Sequence, residues 1–319
     1  MSNYEHRKGL FQQLKDKRRR DILALVTSTK QPEEHFAAQI ALDLLPLFYS
    51  LLKNNGQIKE LDLLVYSSGG QIDAPWALVN LIREFYDNLC VIVPSRAHSA
   101  ATLIAIGADS IEMSPMGTLS PIDPQLMIKP AEPGVPVRTG IEDIYGYYQL
   151  IEEKLKLDST GKTEALKLLA NRIGPEILGQ TSRIRNEIRI IATNLLSLHM
   201  NDPQKIETIV SGLIEKLHSH QYMIGRKEAS KFGLPVKNLD AETEEIVSKI
   251  LISYISEAEM DEPGLEINFA PSETKKTINI NRAFVENEKR SFVFRTQYTI
   301  YTDGKLEKRV NKWMEQSNG

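Results

Sequence analysis

The stretch P-S-R-A-H-S-A-A-T-L-I-A-I-G-A-D-S-I-E-M-S-P-M-G-T-L-S-P-I-D-P-Q-L, residues 94–126, decides the fold of this chain. It follows the apolar run 89–93, which is typical of a buried strand, and it places Ser99 where that strand should give way to a helix. The first backbone N–H groups of a helix have no acceptor within the helix. Such groups are the donors that stabilise an oxyanion during acyl transfer.

Apolar runs and helical patterns alternate on both sides of this stretch. Strands are predicted at residues 22–26, 61–66, 89–93 and 110–113, and helices at residues 32–53, 74–86 and 99–107. The runs at residues 22–26 and 89–93 are apolar throughout, and the run at residues 61–66 is interrupted only by Asp62, so both faces of these strands should be buried. The sequence therefore predicts the α/β class, with a mainly parallel sheet that is covered by helices.

The rest of the chain shows other sequence patterns. Residues 1–20 predict a charged amphipathic helix, and residues 142–217 are helical almost throughout, with breaks near Gly161 and at Gly174-Pro175. Residues 130–137 are rich in Pro and Gly and predict a loop, and residues 242–255 predict another helix. Beyond Asp261, alternating stretches at residues 266–269, 277–280 and 291–301 predict a small β-rich extension. The predicted division is residues 1–20, 21–257 and 258–319.

Bulk composition excludes several classes of protein. The 319 residues carry a net charge of −3, which gives no electrostatic reason to expect nucleic acid as a partner. No apolar run approaches the ~20 residues of a membrane span, and the first residues lack the apolar core of a signal peptide. The single cysteine, Cys90, lies in an apolar run and is expected to be buried. These features predict a cytoplasmic protein without a membrane span.

Two loop features could meet at the carboxyl end of the parallel strands, where such folds hold their sites. Ser67-Ser68-Gly69-Gly70 ends in two glycines, which allow close approach of the backbone to a substrate. Around Ser99, alanines leave room for a substrate carbonyl, toward which the N–H groups of Gly70 and Ala100 would both point. Taken singly, the two features also fit a plain turn and a helix N-cap serine.

A serine hydroxyl is a poor nucleophile unless a neighbouring base takes its proton. His220 lies in a polar loop with no helical face to bury it, and Asp123 is held between two prolines, a setting suited to orienting an imidazole. His98 adjoins Ser99 but would point away from it if the alternation of the strand persists. A surface histidine and an ordinary turn aspartate are the alternatives for His220 and Asp123.

The chain resembles the serine dehydrogenase proteinase family, which is grouped with the Clp peptidase, signal peptide peptidase A and crotonase superfamily. The resemblance covers about residues 21–251, and four motifs carry it in this order: Y-S-S-G-G-Q-I, A-H-S-A-A-T-L-I-A-I-G-A-D-S-I-E-M, L-S-P-I-D-P-Q-L and H-Q-Y-M-I-G-R-K-E-A-S-K-F-G-L-P-V. It implies a Clp/crotonase-like fold of repeated strand-strand-helix units. It also implies an ATP-independent serine peptidase that hydrolyses peptides or unfolded protein without a metal or organic cofactor, and a homo-oligomer.

Matched motif by motif, the resemblance makes Ser99 the candidate nucleophile and Gly70 and Ala100 the oxyanion-hole donors. Clp peptidases carry the histidine of their triad near the segment that holds Asp123 here, and the aspartate just before the segment 233–234. In this chain the two residue types are exchanged, and we infer that His220 is the base and Asp123 its orienting group. Peptidases of the signal peptide peptidase A type use a lysine, and the nearest candidate here is Lys129, which is poorly placed.

Two other functions remain open at the level of sequence. One is a catalytically weak or inactive Clp-like oligomer that binds protein partners as a scaffold. The other is a crotonase-like acyl-CoA enzyme that uses the same oxyanion hole for an enolate, although no basic pocket for a nucleotide phosphate is evident.

Overall fold

The computed structural model describes residues 3–53, 58–128, 137–216, 222–265 and 267–316. Its strands are β1 (Asp21–Thr27), β2 (Glu60–Tyr66), β3 (Asn88–Val93), β4 (Arg96–Ala97), β5 (Ser110–Met113), β6 (Thr118–Leu119), β7 (Gln125–Ile128), β8 (Val137–Gly140), β9 (Ile224–Gly225), β10 (Val236–Asn238), β11 (Lys275–Glu286), β12 (Ser291–Tyr301) and β13 (Leu306–Glu315). Its helices are α1 (Asn3–Arg18), α2 (Glu33–Phe36), α3 (Leu45–Leu52), α4 (Ala74–Arg83), α5 (Ala100–Ile106), α6 (Ile141–Gln149), α7 (Ser159–Ile173), α8 (Pro175–Ser197), α9 (Pro203–Ser211), α10 (Arg226–Lys231) and α11 (Ala241–Glu257).

A single sheet forms the centre of the molecule, with the strand order β10-β5-β3-β2-β1-β11-β12-β13. The five strands from β10 to β1 are parallel to one another. Every residue of β1 is buried, as expected for a strand that is covered on both faces. The predicted α/β class and the mainly parallel arrangement of the core strands are confirmed.

Two apolar layers cover the parallel strands because successive strand side chains point to opposite faces. Leu63 and Val65 face a large cluster that includes residues of α3, α4, α5, α8 and α9. Leu64 faces a second cluster, to which α1 and α11 contribute. Cys90 lies in this second cluster, and its burial raises the pKa of the thiol to about 12. The thiol therefore stays protonated and serves in packing.

The helix predicted over residues 32–53 is wrong as a single element. Helix α2 ends at Phe36, residues 37–41 leave the helix, and α3 begins only at Leu45 after a short 3-10 turn over Leu42–Leu44. Two long-range contacts replace the helical hydrogen bonds in this interval. Arg282 donates to the carbonyl oxygens of Phe36 and Ala37, and Ile40 pairs with Gly70. The apolar spacing of the segment is helical, but its backbone partners lie elsewhere in the chain.

The C-terminal strands continue the main sheet rather than forming a separate layer. Strand β11 runs antiparallel to β1, with Ala24 opposite Glu286 and Thr27 opposite Ala283. Phe284 and Val293 are buried in the cluster that contains α1 and α11, so the body of the molecule covers their apolar face. The predicted β-rich extension is present, but β13 was not expected, and residues 267–269 form no strand.

The helical segment contains the predicted break at Gly174, which lies between α7 and α8 with φ of +81°. The break expected near Gly161 falls earlier, before Asp158, whose side chain caps α7 by accepting a hydrogen bond from the Gly161 N–H. Most of the Pro-rich loop lies outside the described residues. The division into residues 1–20, 21–257 and 258–319 stays a prediction.

Candidate active site

Ser99 occupies the strained turn between β4 and α5. Its φ of +52° and ψ of −114° lie in a region that residues with a side chain rarely adopt. The Ser99 N–H donates to Ser120 Oγ at 2.8 Å, which helps to hold this conformation. The residue is 8% exposed. Such strain persists only where the surroundings enforce it, and it is concentrated at functional sites.

Gly69 brings the double-glycine loop into contact with this turn. It has φ of +114°, and a Cβ at this position would lie 2.7 Å from Ser99 Cβ and 3.2 Å from the Ala100 nitrogen. Only glycine fits both the conformation and the space. The sequence suggests that the glycines admit a substrate, whereas Gly69 leaves room for Ser99 Cβ and for the backbone of His98 and Ala100.

Gly70 is held from its other side by Ile40. The Ile40 N–H donates to Gly69 O at 2.9 Å, and the Gln71 N–H donates to Ile40 O at 2.8 Å. Gly69 O and the Gly70 N–H belong to one trans peptide unit and therefore point in opposite directions. The Gly70 N–H is thus directed away from Ile40. A Cβ on Gly70 would overlap the backbone of Ile40, which explains the second glycine.

The side chain of Asp123 contacts the N-terminal end of α6. Its carboxylate is buried, and Oδ1 accepts a hydrogen bond from the Glu142 N–H at 3.1 Å. A Cβ on Gly140, the residue before α6, would overlap Asp123 Oδ2. The N-terminal turn of a helix favours a negative charge. The carboxylate is therefore seated in a site shaped for it.

The carboxyl group of Glu142 lies beside Asp123 and is itself paired. Burial raises the pKa of Glu142, and Arg185, whose Nε lies 2.7 Å from Glu142 Oε1, opposes this shift. The charge of Asp123 adds to the upward shift of the Glu142 pKa. The surroundings of Asp123 thus include the acid Glu142 and the arginine that pairs with it, Arg185.

The segment 119–123 connects Asp123 to Ser99. The hydroxyl of Thr102, on the first turn of α5, donates to Ser120 O at 3.0 Å. The Ile122 N–H donates to Leu213 O at 3.0 Å, and Leu119 pairs with Ile224. The residues before 217 and the residues after 221 are therefore both hydrogen-bonded to the segment that carries Asp123.

The predicted base His220 lies outside the described residues, and so does Lys129, the nearest but poorly placed lysine. His98 forms a contact of 2.9 Å between its Nε2 and Thr118 Oγ1. Sequence reasoning does not identify Ser120 or Ile40 as parts of the site. Neither has a local signal, because each acts through a backbone or hydroxyl contact with a distant loop.

Over the ranges that the structure covers, no three His, Cys, Asp or Glu side chains are arranged to hold a metal ion. In the same ranges, no helix has the length and apolar character needed to cross a membrane.

Comparison with known proteins gives matches of limited extent. The chain is 28% identical over 178 residues to an uncharacterized protein of Methanocaldococcus jannaschii. This match covers 56% of this chain and 54% of that protein. It is 34% identical over 71 residues to a second uncharacterized protein of the same organism, covering 22% of this chain and 24% of the relative. The chain thus spans about half the length of the first of these relatives and about a quarter of the second.

Among solved structures, two of the 1510-N membrane-bound stomatin-specific protease are similar. A serine-to-alanine mutant has 16% identity and a TM-score of 0.41, and the match covers 66% of this chain and 79% of that one. A lysine-to-alanine mutant in complex with a substrate peptide has 17% identity and a TM-score of 0.38, with 64% and 73% covered.

The family model of the ClpP-like SDH-type serine proteinases matches residues 50–143. This range contains the double glycine, the strained turn at Ser99 and Asp123. The resemblance indicated by the sequence motifs is thereby confirmed: residues 50–143 carry the sequence pattern of the ClpP-like SDH-type serine proteinase family.

Proposed function

We propose that this protein is an ATP-independent serine peptidase that hydrolyses peptide bonds in peptides or unfolded protein. The observation that carries the proposal is the conformation of Ser99, which is strained at the first turn of a helix and contacts a glycine loop. A serine that served only as an N-cap would adopt the extended backbone usual for that position. The family match over residues 50–143 supports the same chemistry.

In the proposed mechanism, Ser99 Oγ attacks the carbonyl carbon of the peptide bond while His220 takes the hydroxyl proton. The N–H groups of Gly70 and Ala100 stabilise the oxyanion of the tetrahedral intermediate. His220 then gives its proton to the leaving amine, and an acyl-enzyme remains on Ser99. A water molecule, deprotonated by His220, hydrolyses this ester and restores the hydroxyl. Asp123 fixes the tautomer and orientation of the imidazole.

The exchange of residue types between Asp123 and His220 is compatible with the chain connections. Ile224 pairs with Leu119, four residues before Asp123. His220 precedes Ile224 by four positions in the sequence. The triad is defined by geometry and role, and the order of its members along the chain varies between families.

The proposal includes a homo-oligomer in the cytoplasm, with a peptide or protein substrate. Among the apolar residues of the helical segment 142–217, Ile151, Ile188, Ile191, Leu195 and Leu196 are buried within the chain. Leu150 and Leu155 remain exposed, at 44% and 56%. Together with the exposed Leu166, Leu168 and Ile190 on α7 and α8, they supply apolar surface for a second copy.

A fluorophosphonate probe tests the nucleophile, because it phosphonylates an activated serine with loss of fluoride. We expect one adduct per chain on Ser99, and none in Ser99→Ala. Ser182→Ala, which changes a serine of α8 away from the turn, should label like the wild type. An adduct at another residue, or equal labelling of Ser99→Ala, would refute the assignment. Absence of labelling in the wild type would favour the scaffold alternative.

The base is tested by comparing His220→Ala with Lys129→Ala. Removing the general base of a triad lowers kcat by roughly three orders of magnitude or more. We expect this loss in His220→Ala and a change of no more than about twofold in Lys129→Ala. The reverse pattern would assign the base to Lys129.

A further inference from the structure

The backbone around Gly70 is connected to the C-terminal strands through residues 35–40. Arg282, on β11, donates from Nε to Phe36 O at 2.9 Å and from Nη2 to Ala37 O. Tyr298, on β12, donates its hydroxyl to His35 O at 2.6 Å. These contacts take the carbonyl groups that a helix continuing beyond Phe36 would use.

Most of the hydrogen-bonding capacity of Arg282 is directed to the backbone of residues 36–37. The side chain is 6% exposed, and its Nη1 donates to Thr296 Oγ1 at 3.2 Å. Among the described residues, no carboxylate forms an ion pair with it. Burial lowers the pKa of the guanidinium, and such a buried charge is tolerated only when its donors are satisfied. The planar guanidinium therefore holds two successive carbonyl groups in a fixed geometry.

The held segment ends at the double-glycine loop. The Ala38 N–H donates to Ser28 O at 3.1 Å, and two residues later Ile40 pairs with Gly69 and Gln71 on either side of Gly70. The backbones of Ile40 and Gly70 are in direct contact, so close that a Cβ on Gly70 would overlap Ile40. A shift of residues 36–40 would consequently move the Gly69–Gly70 peptide unit.

We infer that Arg282 is a positioning residue for the oxyanion-stabilising N–H of Gly70, acting through the carbonyl groups of Phe36 and Ala37 and the pairing of Ile40. The inference rests on the proposed function for its catalytic consequence. It assigns a role to the C-terminal strands, which lie outside the family match over residues 50–143.

Arg290 provides a matched control on the same sheet extension. It donates to the carbonyl oxygen of Ser50, at 3.1 Å, and pairs with Glu315. Arg290→Met therefore removes a guanidinium contact between the extension and the body at α3, away from residues 36–40. Arg282→Met removes the contact that the inference requires.

The first measurement is amide hydrogen exchange, which does not depend on activity. In Arg282→Met we expect exchange at the Ile40 and Gln71 amides to rise by about tenfold or more, because their hydrogen bonds open more often. Arg290→Met should leave these two amides as in the wild type. Unchanged exchange at Ile40 and Gln71 in folded Arg282→Met would overturn the inference.

The second measurement is the rate of fluorophosphonate labelling at Ser99 and the kinetics of peptide hydrolysis. We expect Arg282→Met to lower the labelling rate and kcat by about tenfold or more, with KM nearly unchanged, since an oxyanion donor acts mainly in the transition state. Faster exchange combined with unchanged labelling would overturn the catalytic role. A wild type without any label at Ser99 would refute the proposed function and, with it, the catalytic part, while the exchange comparison would still decide the positioning.

Tyr298→Phe is the variant for the hydrogen-exchange measurement if Arg282→Met does not fold. It removes the hydroxyl contacts with His35 O and with Arg282, and it keeps the ring packed against Phe36. We expect a smaller rise, of about threefold, in exchange at Ile40 and Gln71. No rise in this variant would count against the inference.

Discussion

Arg7 and Glu286 form a doubly hydrogen-bonded ion pair in which both side chains are fully buried. Arg7 Nε and Nη2 each lie 2.8 Å from an oxygen of Glu286. Tyr254 donates its hydroxyl to the same carboxylate at 2.7 Å. The pair thus joins α1, α11 and β11, which are far apart in the chain. The N-terminal helix and the C-terminal extension are attached to the body through one satisfied polar cluster.

Arg7→Met should be strongly destabilising. It leaves the Glu286 carboxylate buried without its cation, and breaking a buried pair in this way costs about 3–5 kcal/mol. Urea denaturation followed by circular dichroism measures this loss. Lys167→Ala, which removes an exposed pair with Glu164, should change the free energy of unfolding by no more than about 0.5 kcal/mol. A loss below about 1 kcal/mol in Arg7→Met would contradict the assigned role.

Ser99→Gly should be more stable than Ser99→Ala. The φ of +52° and ψ of −114° strain any residue with a Cβ, and glycine relieves this strain. After the entropic cost of glycine, we expect a difference of about 1 kcal/mol in the free energy of unfolding. Neither variant can accept the fluorophosphonate label at position 99. Equal stability of the two variants would show that the turn is not strained.

Gly70→Ala should lose both stability and labelling. The added methyl overlaps the backbone of Ile40, and overpacking of this kind costs about 1–3 kcal/mol. Displacement of the Gly69–Gly70 peptide unit should lower labelling of Ser99 by about a hundredfold. Gly179→Ala is the matched control, because a Cβ there has no atom within 4 Å and the residue lies within α8. That change should stabilise the helix by up to about 1 kcal/mol.

His199 should make stability depend on pH. Its Nε2 lies 2.8 Å from Ile106 O at the end of α5, and burial lowers its pKa. Asp109 opposes the shift, while Arg83 and Lys205 add to it. The unfolded chain protonates this histidine below about pH 6.5, before the folded chain does. The contribution of His199 to the free energy of unfolding is therefore full above that pH, and it is lost as the pH falls toward the pKa of the folded state.

We expect the midpoint temperature of thermal unfolding of the wild type to decrease as the pH is lowered from 7.5 to 5. His199→Gln, which keeps a donor for Ile106 O, should show a shallower decrease. His6→Gln changes an exposed histidine of α1 and should follow the wild type. Parallel curves for all three proteins would exclude His199 as the source of the pH dependence.

Local patterns predict the core strands well and the route between them less well. The run at residues 89–93 is apolar throughout and that at residues 61–66 is apolar except for Asp62, as expected for strands buried on both faces, and β2 and β3 form there. Residues 32–53 have helical spacing, yet the chain leaves the helix after Phe36. A spacing pattern records which side chains are buried, but it does not record where backbone groups find partners.

The sequence by itself determined the α/β alternation, the position of Ser99 at a strand-to-helix turn and the similarity of residues 50–143 to the ClpP-like SDH-type serine proteinases. These are properties of short segments, because apolar periodicity and helix starts are local. Only the tertiary structure decided that Gly69 must be glycine because of Ser99, that Gly70 must be glycine because of Ile40, and that Arg282 holds the chain before Ile40. Each of these depends on the distance between residues far apart in the chain, which hydrogen bonding and packing of the whole fold determine.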